Sequence, residues 1–291
     1  MALLKVQFNH PGYQKPFKIG KGYRKVGENV IREWNNDKKH YRKFLLNNGL
    51  YVNNIKDSAP KKNNLYFWGE WEGNSIFNSI KNPKNQKLPN GFHKPIHSKA
   101  VRGIQNTDPY IFGDDFKYSV CKQRGKLCNL DANSLILFGS TFKSLGKFYI
   151  DTVYVVKSKI PATHVHNTVG EGFSKIYKEE TLEQLDEYLG SSYIKTNNQL
   201  YSSQSWWDNK DYFSFVPCKI DLNEKGFERL FLNLNDPIFN LSSNPTGMSF
   251  LKNCALNPNQ LWNKIVDISL KQGFKLGIRF EEPIISNLTI H

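Results

Sequence analysis

The sequence predicts an α+β protein, a single domain in which a curved mixed or antiparallel sheet is flanked by four or more helices. Three observations predict it. Short aromatic and β-branched runs recur at 2–8, 65–71, 135–138, 148–156 and 274–280, with Gly, Pro, Asn or Asp between them, as expected of strands joined by turns. Two stretches, 181–189 and 258–271, instead carry apolar residues at helical spacing. No repeat, coiled coil or low-complexity linker divides the 291 residues, so 1–291 reads as one domain with a basic half at 1–130.

Residues 2–8 open the fold as a strand, and a turn leads into a basic loop whose Gly20-Lys21-Gly22 lacks the spacing of a phosphate-binding P-loop. Lys18, Lys21 and Arg24 are the first candidates there for contact with backbone phosphates. Between 37 and 48, Tyr41, Phe44 and Leu45 interleave with Lys38, Lys39, Arg42 and Lys43. This predicts a basic amphipathic helix capped by Asp37 and stopped by Gly49. In the strand 65–71, alternation puts Trp68, Glu70 and Glu72 on one face and Phe67 and Trp71 on the other. The stretch 82–102, rich in Pro, Asn, Lys and His, reads as a long binding loop. It adds Lys94 and Arg102 to the phosphate candidates. It also sets His93 and His97 at the surface or on phosphates, because Pro95 between them opposes a helical metal pair.

Residues 106–123 supply a turn at Asp108-Pro109, an aromatic strand, and a second short strand carrying Tyr118 and Cys121. Strands 135–138 and 148–156 follow. Asp151 is a carboxylate in an otherwise apolar strand, so it lies at an exposed edge or is held for a purpose. His164 and His166 share a face near Glu171, without a third ligand at metal-binding spacing. Helices are expected over 181–189, capped by Thr181, over 224–232, and over 258–271, where Pro258 sits in the first turn and Gly273 stops it. Trp206 and Trp207 are adjacent, so one belongs to the core and the other is exposed or lines a pocket.

The net charge of +14 is unevenly placed: residues 1–130 hold 24 Lys and Arg against 9 Asp and Glu, and residues 131–291 hold 16 against 17. A one-sided positive field attracts a polyanion, and DNA is the expected partner; a solvated basic surface without a partner is the alternative. No apolar run approaches the ~20 residues that a membrane helix needs, and the basic residues do not lie on one amphipathic helix, so no membrane partner is expected. The opening residues are too polar for a signal peptide, and Cys121, Cys128, Cys218 and Cys254 show no paired spacing. A cytoplasmic monomer with free thiols is the expectation.

An enzyme that works on a base in DNA takes it out of the stack, holds it between rings and reads its edge. Trp68, Trp71, Tyr110, Phe112 and Trp207 are the stacking candidates, and Asn106 and Gln123 the edge readers. Cleaving the N-glycosidic bond further needs a carboxylate that stabilises an oxocarbenium charge or aligns water. Asp108 is the first choice, since a turn before Pro109 can aim it into a cleft; Glu70 and Asp151 follow. Glu70, Glu72, Asp108, Asp114 and Asp115 are also the hard oxygen donors that a magnesium-dependent nuclease uses, although no nuclease pattern accompanies them. A non-catalytic reader with Trp68 and Trp71 as its aromatic pocket is the remaining alternative.

The runs Asn106-Thr-Asp-Pro-Tyr-Ile-Phe-Gly, Phe116-Lys-Tyr-Ser-Val-Cys-Lys-Gln, Leu135-Ile-Leu-Phe-Gly-Ser and Phe148-Tyr-Ile-Asp-Thr-Val-Tyr-Val-Val resemble the nucleotide-modification-associated domains of bacterial and phage gene clusters. They are also similar to anti-phage DNA glycosylases that remove glucosylated hydroxymethylcytosine. The resemblance covers residues 65–157. It implies recognition of a modified base in phage DNA, with the catalytic group among the acids named above; hydrolysis without a cofactor or metal is the separate expectation. It carries over no family catalytic position, and helix-hairpin-helix features are absent.

Overall fold

The computed structural model describes residues 3–9, 23–26, 29–32, 42–80, 89, 91–97, 107–119, 125–161, 173–182, 199–221 and 227–285. Its strands, numbered along the chain, begin with β1 (Lys5–Asn9), β2 (Tyr23–Val26), β3 (Asn29–Arg32), β4 (Lys43–Val52) and β5 (Lys61–Gly69). They continue with β6 (Ser75–Ser79), β7 (Gly91–His97), β8 (Lys117–Tyr118), β9 (Leu135–Phe142), β10 (Lys147–Pro161) and β11 (Gln199–Ser203). The last are β12 (Val216–Lys219), β13 (Leu230–Asn233), β14 (Gly247–Phe250), β15 (Lys275–Phe280) and β16 (Ile284–Ile285). One sheet runs β14-β1-β9-β10-β11-β8 with β13 also on β10; the other runs β15-β12-β5-β4-β7-β6-β3-β2 with β16 also on β7. Both are mixed, since β1/β9, β4/β7 and β7/β16 pair in parallel. This is the α+β class that the sequence predicts.

The β9–β10 hairpin shows how the sheets build two apolar cores. Leu135–Phe138 of β9 and Val153–Val156 of β10 are uninterrupted runs without a charged residue, so alternation offers an apolar face on each side. Leu135, Leu137, Val153 and Val155 meet Phe44, Phe215 and Trp262, while Ile136, Phe138, Tyr154 and Val156 meet Leu45, Phe67 and Val216. Each face therefore packs against residues of the second sheet. Val153 and Phe215 also exchange two backbone hydrogen bonds of 2.9 Å, linking the hairpin to the chain that enters β12. In the second sheet β15 pairs with both β12 and β4, so β4, β5, β12 and β15 close into a ring of four strands. Gly49 permits the closure: a Cβ there would stand 2.5 Å from the Arg279 carbonyl oxygen.

The helix Pro258–Lys271 forms as predicted. Asn257 and Gln260 make a reciprocal capping box, Pro258 occupies the first turn, and Gly273 follows at φ +77°. Leu261, Trp262 and Ile265 fill its buried face, and Trp262 donates its indole N–H to the Phe213 carbonyl at 2.7 Å.

Four expectations are corrected. Residues 43–52 are strand β4, because Phe44 serves one core and Leu45 the other, a two-sided burial that mimics a helical apolar pattern in a short window. Residues 230–233 are strand β13, with Leu230 and Leu232 buried and paired with Ile150 and Phe148. Within the expected binding loop, 91–97 is strand β7. Of the helix expected over 181–189, residues 183–189 lie outside the described residues, and Thr181 is not its cap: Ser174 caps Lys175–Tyr177, which widens into a π turn at Lys178–Leu182. Among the described residues Pro258–Lys271 is the one α-helix longer than a single turn, so the four flanking helices are not found there. The strands 5–9, 61–69, 135–142, 147–161 and 275–280 match their predicted positions to within a few residues.

The hairpin also contains a tight contact with a measurable consequence. Gly139 faces Ile150, and a Cβ on it would lie 1.9 Å from the Tyr149 carbonyl oxygen. Gly139→Ala is expected to destabilise the protein by about 1–3 kcal/mol or more through forced backbone displacement, read as a lowered midpoint in urea unfolding; an unchanged midpoint contradicts the packing.

Candidate functional site

Two polar features stand out, one sealed inside the protein and one open to solvent. The sealed one begins where β4 and β5 meet. Lys43 lies opposite Gly69, so Arg42 and Glu70 come side by side at the same end of the pair. Arg42 Nη1 forms an ion pair with Glu70, and its Nε lies 2.6 Å from Asp151 Oδ2. Asp151 falls at the register break of β10, between Ile150 and Thr152. A bulge of this kind re-aims the residue it leaves out of the ladder. Arg229, just before β13, closes the chain with Nη2 at 2.6 Å from Asp151 Oδ1 and 2.7 Å from Oδ2. The same nitrogen donates to Ser140 Oγ at 3.2 Å, and the guanidinium lies 5.7 Å and 5.3 Å from the ring centres of Trp68 and Tyr149.

All four charged side chains are at most 4% exposed, and two acids balance two bases. Burial alone lowers the basicity of both arginines. At Arg42 the attraction of Glu70 and Asp151 more than offsets it and the pKa is raised; Arg229, which shares Asp151 with Arg42, stays lowered. Asp151 is thus a carboxylate held for a purpose, to join the two sheets through paired charge. Glu70 and Asp151 were expected to act on a ligand; instead both are enclosed and committed to this chain.

The open feature is a cleft of about 570 Å³ beside the end of β15. Its walls come from distant parts of the chain. The 107–119 segment folds back on itself through two hydrogen bonds between Tyr110 and Lys117, of 2.9 and 2.8 Å, and is fixed to β15 by Gly113 N–H donating to the Phe280 carbonyl at 2.8 Å. This brings Tyr110, Phe112, Asp114, Asp115 and Lys117 to the cleft. β4 and β5 add Leu50 and Lys62, the turn after Ser174 adds Ser174 and Tyr177, and the end of β15 adds Arg279, Glu281 and Glu282.

The cleft carboxylates are not equivalent. Glu281 pairs with Lys62 at 2.6 Å, Asp114 with Arg279 at 2.5 Å and Asp115 with Lys117 at 2.5 Å. The hydrogen bond from Lys62 holds Glu281 below the usual carboxylate range. Glu282 has no cationic partner among the described residues; it accepts a hydrogen bond from the Tyr110 hydroxyl at 2.9 Å. Burial, with Glu282 alongside, pushes the Tyr110 phenol far above its ordinary value, so it remains a donor throughout the working pH range.

The structure places the candidate residues unevenly. Tyr110 and Phe112 reach the cleft, but both rings are 1% exposed and are packed edge-on, 5.4 Å apart, so they form a floor and leave no face for stacking. Trp71 lies beneath Phe112 at 5.3 Å and donates to the Asn74 carbonyl; Trp68 donates to the Phe227 carbonyl. Both indoles belong to the core, which corrects their assignment as a base-holding pair. Trp207 is 48% exposed, edge-on to the buried Trp206 as the pairing predicts, and lies outside the cleft lining. Asp108 is buried and accepts the Ser119 N–H at 3.0 Å, a segment-holding contact away from the cleft. His93 and His97 are buried rather than at the surface, since β7 turns both toward the interior, with Lys94 half-buried on the opposite face. Lys18, Lys21, Arg102, Asn106, Gln123, His164 and His166 lie outside the described residues, as does the side chain of Arg24.

Sequence reasoning missed Glu282, Arg279, Lys117, Arg42 and Arg229. The only signal for Glu282 is its place in the acidic pair Glu281-Glu282 just after a strand and before Pro283. Among the described residues no group of three or more His, Cys, Asp and Glu side chains is placed to hold a metal ion, and no helix there is long and apolar enough to cross a membrane. Comparison of the chain with protein-family models, curated proteins and solved structures finds no match.

The buried charge chain makes a strong demand on its central member. Arg42→Met removes the cation between two enclosed carboxylates and is expected to cost about 3–5 kcal/mol, measured by urea unfolding. A loss below ~1 kcal/mol, the value of an exposed pair, contradicts the enclosure.

Proposed function

We propose that the protein is a DNA-binding base-excising enzyme, a DNA glycosylase that hydrolyses the N-glycosidic bond of a modified base such as glucosylated hydroxymethylcytosine in phage DNA. The observation that carries this reading is Glu282: a cleft carboxylate without a cationic partner among the described residues, oriented by a tyrosine hydroxyl that stays protonated. A carboxylate so held can stabilise positive charge developing at the sugar C1′ or align the attacking water. Water adds at C1′, the C1′–N bond breaks with its electron pair going to the base, and the base leaves with the proton that water supplies.

Three further observations support it. The cleft volume is in the range that holds a nucleoside-sized ligand. Its rim alternates carboxylates with Lys62, Lys117 and Arg279, a density of donors and acceptors suited to the hydroxyls of a sugar-bearing base, while the buried rings leave stacking a minor part. The excess of basic residues in 1–130 suits the phosphates on either side of an extruded nucleotide.

The test is incubation with unmodified DNA and with glucosylated hydroxymethylcytosine phage DNA in EDTA, following free base by mass spectrometry and abasic sites by alkaline cleavage. Release from the modified DNA is expected, and Glu282→Gln, which keeps an acceptor for Tyr110, should slow it by roughly 10²–10⁴-fold with DNA binding retained. Full activity in that variant removes Glu282 from the reaction. Binding without release makes the protein a reader of modified DNA, and magnesium-dependent strand cleavage makes it a nuclease.

A further inference from the structure

The wall of the cleft formed by Ser174 and Tyr177 is fastened from behind. The chain runs from these residues into the π turn Lys178–Leu182, where Glu179 and Glu180 grip the last residue of β7. His97 Nδ1 lies 2.6 Å from Glu180 Oε1 and His97 Nε2 lies 2.6 Å from Glu179 Oε2. A neutral imidazole carries one N–H, and carboxylates carry none, yet two short contacts need two protons. Both contacts can be hydrogen bonds at once only if the triad carries one proton more than a neutral imidazole and two carboxylates supply.

We propose that His97 is a positioning residue for the cleft: as an imidazolium it clasps Glu179 and Glu180, holds the Ser174–Tyr177 wall in place, and releases it on deprotonation. The wall acts on the reactive end of the cleft through contact. Tyr177 packs on Tyr110 with ring centres 4.9 Å apart, its N–H donates to the Ser174 hydroxyl, and the Tyr110 phenol orients Glu282. The inference rests on the reading of this cleft as the site.

Lys43 of β4 acts on Glu180, Lys175 approaches Glu179 at 3.9 Å, and Glu180 acts on Tyr110. Toward β16, His97 faces Ile285, which carries no charge. The hydrogen bond to Glu180 raises the His97 pKa against the opposing effect of burial, and burial raises that of Glu180. Both directions keep the extra proton in place to higher pH. For a group whose folded pKa is raised, the stabilisation is complete below the ordinary histidine value of about 6.5 and is lost as pH rises through the folded value.

The experiment is ¹⁵N NMR of the His97 ring with amide hydrogen exchange over 175–182, from pH 6 to 9. Expected are two protonated ring nitrogens at pH 6, a midpoint above 6.5, and at least a tenfold fall in protection of those amides across the same midpoint. His97→Asn should remove the pH dependence, and Glu179→Gln, at a partly exposed position, should lower the midpoint while leaving the fold intact. A singly protonated ring at pH 6, pH-independent protection, or an unmoved midpoint in Glu179→Gln overturns the proposal. Neither readout uses DNA, so a failure of base release and a failure of the clasp are told apart.

Discussion

The chain Glu70–Arg42–Asp151–Arg229 is the constraint on which the arrangement of the two sheets depends. Four charges withdrawn from water are tolerable only when each faces its opposite, and here the partners come from both sheets. β4 and β5 contribute one acid and one base, and the β10 bulge and the approach to β13 contribute the others. Apolar packing between the sheets is non-directional and would accept small slides; the ion chain would not, because a displacement of an ångström or two strands a charge. This is a reason for such a group to sit among side chains as apolar as Trp68, Phe148 and Ile150.

The walls of the cleft are drawn from five separated parts of the sequence. β4 and β5 supply one side and the end of β15 another, and these belong to the closed ring of four strands. The segment 107–119 is tied to that ring at Phe280 and, through β8, to β11 of the other sheet. The cleft thus draws on both sheets, and it lies at the Leu50–Lys62 end of β4 and β5, away from the charge chain at the Arg42–Glu70 end. Its side chains divide into groups that neutralise each other and one tyrosine-held carboxylate.

Much of the fold was legible because local pattern and tertiary environment agree. The strands 135–142 and 147–161 are read from their apolar runs, and the helix Pro258–Lys271 from its cap, its proline and its stop. Misreadings concentrate where burial on two faces imitates another period. Phe44 and Leu45 point to opposite cores and look like neighbours on a helix; Leu230 and Leu232 are two residues of a strand too short to show alternation. His93 and His97 looked polar and exposed in a proline-rich stretch, yet hydrogen bonds to Ser75 and to the two glutamates make their burial acceptable.

The sequence by itself determined the class of fold, the central hairpin, the long helix, the presence of one odd carboxylate in β10 and the one-sided distribution of positive charge, because each of these is a property of composition or of spacing along the chain. Only the tertiary structure decided which acids face solvent. Asp108, Glu70 and Asp151 carry the same chemistry as Glu282, and nothing in their local sequence separates an enclosed ion pair from a group at the rim of a cleft. The difference lies in which cation, hydroxyl or amide stands opposite, and those partners are from 11 to 172 residues away in the chain.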